Sequence, residues 1–458
     1  MKFGGTSVED ACAFERVAQI VQEREALQPV VIVSAMSRVT DALLYSIQEA
    51  AGGNATHAAS TLEEQFERHT RVANSLLGAE AAVRFELLID NVRSEIQDLL
   101  HQVAGHILPL PFLQDAIVSH GERLSANVLT AILQQKDLPS HYVDARRCIT
   151  TDASYGCAVP LSEETERRTR VELLPLLEAG RIPVLGGFIA AAVNGETTTL
   201  GRGSSDYSAA LVGAALYARE IQIWTDVPGV LTADPRLVRT ARIIPSLSYR
   251  EAAELAYFGA KVLHPKTIRP AMERSIPVRV CSSREPGEAG TTVFSEIETG
   301  PSPIKAIVHK TGITTVQITS ARMLGTFGFL RAIFEVFERH RTIVDVVTTS
   351  EVSISLSLDD TRALGDIIAE LQHLGTVVIE RERAIVCVVG EGLRTTPGVS
   401  ARVLSTISDI NVSLVSLGAS SINFTFIIEE ERVDEAVKRL HQACFELVTE
   451  EAGTSIRS

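Results

Sequence analysis

Lys2-Phe3-Gly4-Gly5-Thr6-Ser7 places a cation beside two glycines where a helical pattern begins. Small residues let backbone N–H groups approach phosphate oxygens, and a helix start adds a favourable field. The spacing matches neither the GxxxxGK[ST] loop nor GxGxxG. Taken alone, the segment reads equally as a phosphate-binding turn or as a plain tight turn. Outward from it, residues 7 to 24 read as a helix, with Ser7 as cap, Asp10 at the capping-box spacing and an apolar stripe of Phe14, Val17, Ala18 and Val21. Val30 to Val33 then form a compact apolar strand ending at Ser34. Glycine turn, helix and buried strand in succession predict an α/β fold.

The pattern continues along the chain. Residues 55 to 107 read as mostly helical, 182–186 and 221–224 as strands, 206–219 as a helix, and 276–280 as the last strand. Near-continuous apolar strands between helices predict a largely parallel sheet covered on both faces. The expected first domain is 1–295. After Pro301-Ser302-Pro303 the character changes. Thr315–Thr319 alternates, and Phe329, Ile333 and Phe337 make a helical stripe. Ile354, Leu356 and Leu358 share one strand face, and Leu364, Ile367 and Leu371 mark a second helix. The same β-α-β-β-α order recurs from Ala384 to Ala443, so a small α+β unit is repeated. The expected units are 305–381 and 382–458, with boundaries that can interleave. A ligand-sensing or dimerising module is the favoured reading over a purely structural domain.

Composition bounds the chemistry. The chain has 458 residues, is 45% hydrophobic and 22% charged, and carries a formal charge of −14. An acidic surface argues against a general nucleic-acid binder, although a few local cations can still dominate an ATP pocket. The six cysteines form no CxxC pair, which disfavours structural zinc and disulfides and suits a reducing compartment. With no long apolar run and no signal-peptide pattern, a cytoplasmic protein with no membrane partner is expected.

Several further clusters can carry chemistry. Gly201-Arg202-Gly203-Ser204-Ser205-Asp206 is a second glycine turn entering a helix; Arg202 suits a carboxylate, and Asp206 suits orienting a lysine or a metal. Thr225 and Asp226 follow a strand end, where sheet ligands usually lie. Arg236 in Asp234-Pro235-Arg236 and Lys261 beside Gly259 are further candidate phosphate cations, each equally readable as surface structure. His264 and His120 read chiefly as structural. Ser119 to Arg123 reads as a polar cluster preceding a helix. Phosphorylating a carboxylate needs positioning and charge neutralisation, with Mg²⁺ usual for ATP, rather than a strong base.

Together these segments resemble aspartate kinase of the amino-acid-kinase superfamily. The carriers are KFGGTSV (2–8), VVIVSAMSRVTD (30–41), HGERLSA (120–126), GRGSSDYSAA (201–210), WTDVPGV (224–230), DPR (234–236) and FGAKVLHPKT (258–267). MLGTFGFL (323–330) and VDVVTTSEVSISL (344–356) resemble the ACT regulatory domains of lysine-sensitive members. The resemblance covers essentially the whole chain. It implies a three-layer αβα sandwich of amino-acid-kinase type followed by two ferredoxin-like ACT units. The implied reaction moves the γ-phosphoryl of ATP, with Mg²⁺, to the β-carboxylate of L-aspartate, the first step toward lysine, methionine and threonine.

By the same resemblance, Lys2 and Asp206 are catalytic. Ser34, Thr40, Glu122, Phe188, Arg202 and Ser205 line the aspartate site, Glu122 facing the ammonium and Arg202 a carboxylate. Lys2, Gly4, Gly5, Thr225, Asp226, Leu231, Arg236 and Lys261 serve the nucleotide. Met323, Gly325, Phe327, Gly328, Phe329, Leu330, Val344, Asp345, Thr349, Ser350 and Glu351 form a lysine effector site between paired ACT domains, implying a homodimer or a tetramer. No dehydrogenase follows residue 458, so a monofunctional kinase is expected. Two departures from the family pattern stand out: only Met1 precedes Lys2, and Leu231 stands where some relatives carry tyrosine. Competing readings are glutamate, acetylglutamate or uridylate kinase chemistry, an inactive amino-acid sensor, and a dehydrogenase fused to ACT domains, the last disfavoured by the missing GxGxxG.

Overall fold

The computed structural model describes residues 1–259, 263, 265–295, 303–418 and 420–446. The chain divides into two units. One comprises Met1–Val230, Pro245–Tyr249 and Val262–Glu296; the other comprises Leu231–Ile244, Arg250–Lys261 and Ile297–Ser458.

In the first unit the strands are β1 (Lys2–Phe3), β2 (Val31–Val33), β3 (Ser140–Val143), β4 (Thr150–Thr151), β5 (Ile182–Gly186), β6 (Ile189–Ala192), β7 (Thr197–Thr199), β8 (Ile221–Thr225), β9 (Ser246–Ser248), β10 (Val278–Ser282) and β11 (Thr291–Phe294). The helices used below are α1 (Ala11–Gln22), α2 (Val39–Ala51), α3 (Ala55–Ser60), α4 (Glu63–Leu76), α5 (Ala79–Ala104), α6 (Leu110–Gln135), α7 (Ser162–Glu178) and α8 (Ser205–Ala215). Eight strands form the main sheet in the order β3-β5-β2-β1-β8-β10-β11-β9. Its neighbours run parallel except β10 and β11. With its covering helices the sheet makes a three-layer αβα sandwich. A small second sheet runs β4-β6-β7.

Local chemistry explains the departures from expectation. The helix expected over 7–24 is a 3₁₀ turn, Gly5–Val8, followed by α1. Its cap is Asp10, whose Oδ1 accepts from Ala13 N at 2.8 Å. Ser7 is instead buried and shares a 2.8 Å hydrogen bond with Ser283 Oγ. The strand expected at 276–280 lies at 278–282, and it is not the last, because β11 folds back on it. Ser119–Arg123 does not precede a helix: it lies in the middle of α6. Gly121 is tolerated there because α6 packs tightly on the loop after β2; a Cβ at 121 would lie 2.9 Å from Ala35 Cβ.

Strand β1 is only two residues long, yet it is pinned on both sides. Lys2 and Phe3 pair with Ile32 and Val33 on one side and with Ile223 and Trp224 on the other. The Phe3 ring stacks on Trp224 with centroids 5.9 Å apart.

The second unit is built on β12 (Ala306–Thr319), β13 (Val347–Thr349), β14 (Ser353–Leu358), β15 (Thr376–Val389), β16 (Leu414–Leu417) and β17 (Asn423–Glu429), in the order β13-β14-β12-β15-β17-β16. The two ferredoxin-like units share their central strands. Ala306–Lys310 pairs with the half of β15 that also carries β17, whereas Ile313–Thr319 pairs with the other half and carries β14. A register shift at 310–313 separates the halves. Each half has its own core. One joins Val316 and Ile318 to Phe329, Ile333 and Phe337. The other joins Val386, Phe424 and Phe426 to Val437, Leu440, Ala233 and Val238. Full burial of each large apolar side chain contributes roughly 1.5–3 kcal/mol.

Candidate active site

Lys2 sits in the middle of the sheet, so its side chain leaves from a fixed backbone. Its Nζ lies 2.8 Å from Asp206 Oδ1, in the first turn of α8. Gly4 donates its N–H to Trp224 O at 3.0 Å, so that amide is already spent within the protein. Next to it, Thr225 Oγ1 donates to Asp226 Oδ1 at 3.1 Å at the end of β8.

Beside this centre opens a cavity of about 340 Å³. Ser34, Thr40, Glu122, Phe188, Arg202 and Ser205 all line it, together with Gly5. They come from the end of β2, the first turn of α2, the middle of α6, the end of β5 and the start of α8. On α6 the wall residues Gln114, Val118 and Glu122 recur every four positions, one face of a helix. Gly187 brings α8 close, since a Cβ there would lie 2.7 Å from Ser205 Cβ. Phe188 holds φ at 67°, a left-handed conformation that costs about 1–3 kcal/mol for a bulky residue. Its N–H donates to Ser208 Oγ at 2.8 Å, which helps hold that geometry.

The cavity has opposite charges in different settings. Glu122 is only 4% exposed, and among the described residues its Oε2 has no hydrogen-bond partner. Burial pushes its pKa up to about 8; backbone N–H groups and then the Lys2 charge oppose that rise. Arg202 is 76% exposed, with its Nη2 2.6 Å from Asp41 Oδ1. Exposed pairs of this kind contribute little, so another carboxylate can replace Asp41 at small cost. His120, also on α6, is buried and its pKa is pushed down to about 3 by burial and by Arg123, which makes it a neutral core residue.

The remaining candidates lie in the second unit or outside the described residues. Lys261 and His264 fall outside the described residues. Leu231 is bridged to Ile243, and the Arg236 guanidinium grips Asp234 through Nε at 3.0 and 3.1 Å and Nη2 at 2.6 Å. Met323, Gly325, Phe327 and Gly328 lead into the helix Phe329–Arg339, which also holds Leu330. Val344, Asp345, Thr349, Ser350 and Glu351 lie along β13 and its flanks. The Asp345 side chain is 2% exposed and already occupied. Tyr257 OH donates to its Oδ1 at 2.6 Å, and Lys310 Nζ lies 3.5 Å from Oδ2.

Residues 1–282 match the model of the amino acid kinase family, and residues 386–444 match an ACT domain. The lysine-sensitive aspartokinase 3 of Escherichia coli is 36% identical over 97% of this chain and 98% of its own length. The chain belongs to the aspartokinases of the amino acid kinase family. The chloroplastic aspartokinase 3 of Arabidopsis thaliana is 38% identical over 99% of this chain and 82% of its own. The crystal structure of E. coli aspartokinase III with aspartate and ADP superposes with a TM-score of 0.81 at 35% identity, covering 97% and 99% of the two chains. Its complex with lysine and aspartate gives the same values.

Sequence reasoning missed Gln114, Gly156, Thr199 and the wall role of Asp41, all of which line the cavity. Asp41 closes the quoted 30–41 segment, but none of the others carries a spacing that distinguishes it from ordinary helix or turn residues.

Proposed function

We propose that the cavity beside Lys2 binds L-aspartate, so that this aspartokinase transfers the γ-phosphoryl of ATP to the substrate β-carboxylate there, giving 4-phospho-L-aspartate and ADP. The observation that carries this reading is the buried Glu122, whose Oε2 has no hydrogen-bond partner among the described residues, in the wall of a cavity that also holds Arg202. An amino acid with two carboxylates needs one such anion and at least one such cation. Glu122 takes the ammonium; Arg202 leaves Asp41 for a substrate carboxylate. Lys2, oriented by Asp206, sits where charge on the transferring group needs neutralising. The β-carboxylate is ionised at neutral pH and needs no base.

The nucleotide set is Lys2, Gly4, Gly5, Thr225, Asp226, Leu231, Arg236 and Lys261. Among the described residues no cluster of three His, Cys, Asp or Glu side chains converges. That suits Mg²⁺, which keeps waters and phosphate oxygens and takes one or two carboxylates; Asp206 is the carboxylate at hand. When bound, Mg²⁺ offsets negative charge on the phosphates.

We carry the domains as 1–295, 305–381 and 382–458, the latter two interleaved. Lysine is the proposed effector, held at 323–330 and 344–351, and its ammonium competes with Lys310 and Tyr257 for Asp345. Exposed Leu324, Phe327, Leu330 and Phe334 support a homodimer through the ACT units, or a tetramer. Unpaired cysteines support a reducing cytoplasm. Among the described residues no helix is long and apolar enough to cross a membrane. The test is aspartate-dependent ADP formation in the presence of Mg²⁺. Lys2→Ala is expected to lower kcat by about 10³-fold with the fold intact by circular dichroism. Turnover unaffected by Lys2→Ala, or absent with aspartate but present with glutamate, overturns the reading.

A further inference from the structure

Asp115 lies on α6 one residue beyond Gln114 of the cavity wall, and its side chain is 0% exposed. Among the described residues no cation pairs with it. Its carboxylate is met by three donors from two other segments. Oδ2 accepts from Gly156 N at 2.8 Å and from Thr199 N at 3.0 Å, and Oδ1 accepts from Thr199 Oγ1 at 2.7 Å. Gly156 and Thr199 both line the cavity. Thr199 O in turn accepts from Ala158 N at 2.8 Å, so the 156–158 turn and the end of β7 are stitched together around one buried charge. Two residues after Thr199 the chain enters the Gly201-Arg202-Gly203 turn, with Gly201 at φ 90°.

A buried carboxylate is costly unless every lone pair is used. Here burial raises its pKa while the three donors oppose that rise. An aliphatic residue would fill the same helix position at less cost, so the charge has a purpose beyond packing. The three hydrogen bonds fix both walls that flank Arg202 relative to α6, which carries Glu122. The distance between the two substrate-charge partners therefore depends on Asp115.

We infer that Asp115 is a positioning residue for the amino-acid substrate: by holding Gly156 and Thr199 it sets the separation of Glu122 and Arg202. This inference rests on the reading that the cavity takes aspartate. In Asp115→Asn the amide oxygen can still accept from Gly156 N and Thr199 N, but the NH₂ group faces Thr199 Oγ1 only if that hydroxyl turns from donor to acceptor, and the negative charge that strengthens all three bonds is lost, so the stitch weakens without loss of volume.

Steady-state kinetics with full-length protein tests the inference. Asp115→Asn is expected to raise the KM for aspartate about tenfold, with the KM for ATP and kcat at saturation within about twofold. Thr199→Val deletes only the hydroxyl spent on Asp115 and is expected to raise the aspartate KM about threefold. The double variant is expected to match Asp115→Asn alone, because both act through one stitch. An aspartate KM unchanged in Asp115→Asn, an ATP KM rising in step with it, or strictly additive effects in the double variant each overturn the inference. If Asp115→Asn does not fold, Thr199→Val decides: an unchanged aspartate KM overturns the inference. Wild-type protein that forms no ADP with aspartate would instead overturn the assignment of the cavity.

Discussion

Glu122 is held on α6 with one oxygen that meets no donor among the described residues, and burial keeps it protonated below about pH 8. A protonated carboxyl cannot neutralise an ammonium, so the proposed binding of aspartate at Glu122 must expel that proton. The expected outcome is a kcat/KM for aspartate that rises between about pH 6.5 and pH 8, by at most about tenfold per unit, and then levels. Glu122→Gln should abolish this dependence and raise the aspartate KM roughly tenfold to a hundredfold. A parallel pH profile in wild type and variant would remove Glu122 from substrate binding. Stability follows the same sign: a pKa raised above the unfolded 4.5 favours folding most at low pH, and that contribution is lost as pH rises through about 8. Glu122 and Arg202 were readable because each sits inside a short motif. Asp115 was not, since a single acid in an amphipathic helix looks like any solvated residue until the chain folds back over it.

At the scale of elements, β12 supplies Lys310, which spans Asp345 and Asp359 at 3.5 and 2.7 Å. Tyr257, on the helix Tyr249–Tyr257, reaches Asp345 through its hydroxyl. The proposed effector ammonium must displace this resident pair. Lys310→Met is therefore expected to lower the lysine concentration for half-inhibition about threefold to tenfold, and Tyr257→Phe to lower it less. An unchanged inhibition curve for both, with inhibition itself intact, would show that Asp345 does not meet the effector ammonium. The same strand shows where sequence patterning stops. Thr315–Thr319 alternates and was legible, but β12 begins nine residues earlier, at Ala306. The polar run His309-Lys310-Thr311-Gly312 hides that continuation, because it occupies the register shift where one unit hands the strand to the other. Strand β5 was read at its observed bounds, since every one of its residues is buried and the apolar run is unbroken. Ser119–Arg123 was read as preceding a helix, and only the close approach of Ala35 to Gly121 explains how a glycine comes to lie within α6.

For the whole molecule, contiguity in sequence and contiguity in packing diverge. Leu231–Ile244 and Arg250–Lys261 pack with the second unit although both precede residue 295. Ala233 and Val238 are buried among Val386, Phe424 and Val437. Thr232 O accepts from Ile307 N at 2.8 Å, and Thr232 Oγ1 shares a 2.9 Å hydrogen bond with His441 Nε2. A fragment ending at 295 exposes those side chains and strands those polar groups. It is expected to aggregate on size exclusion and to unfold several degrees below the full chain. A monodisperse fragment with an unchanged midpoint would show that 231–244 contributes nothing to stability. The shared strands β12 and β15 also bear on heredity. Ile313–Glu380 holds one ferredoxin-like unit in unbroken order, whereas the other unit draws its Ala306–Lys310 strand from ahead of that stretch, so the downstream copy is not a self-sufficient cassette. A crossover that removes Ala306–Lys310 leaves the downstream copy short of a central strand, whereas excision of 313–380 spares that pairing, so descendants of such a gene can shed the inner copy only by keeping the strand ahead of it.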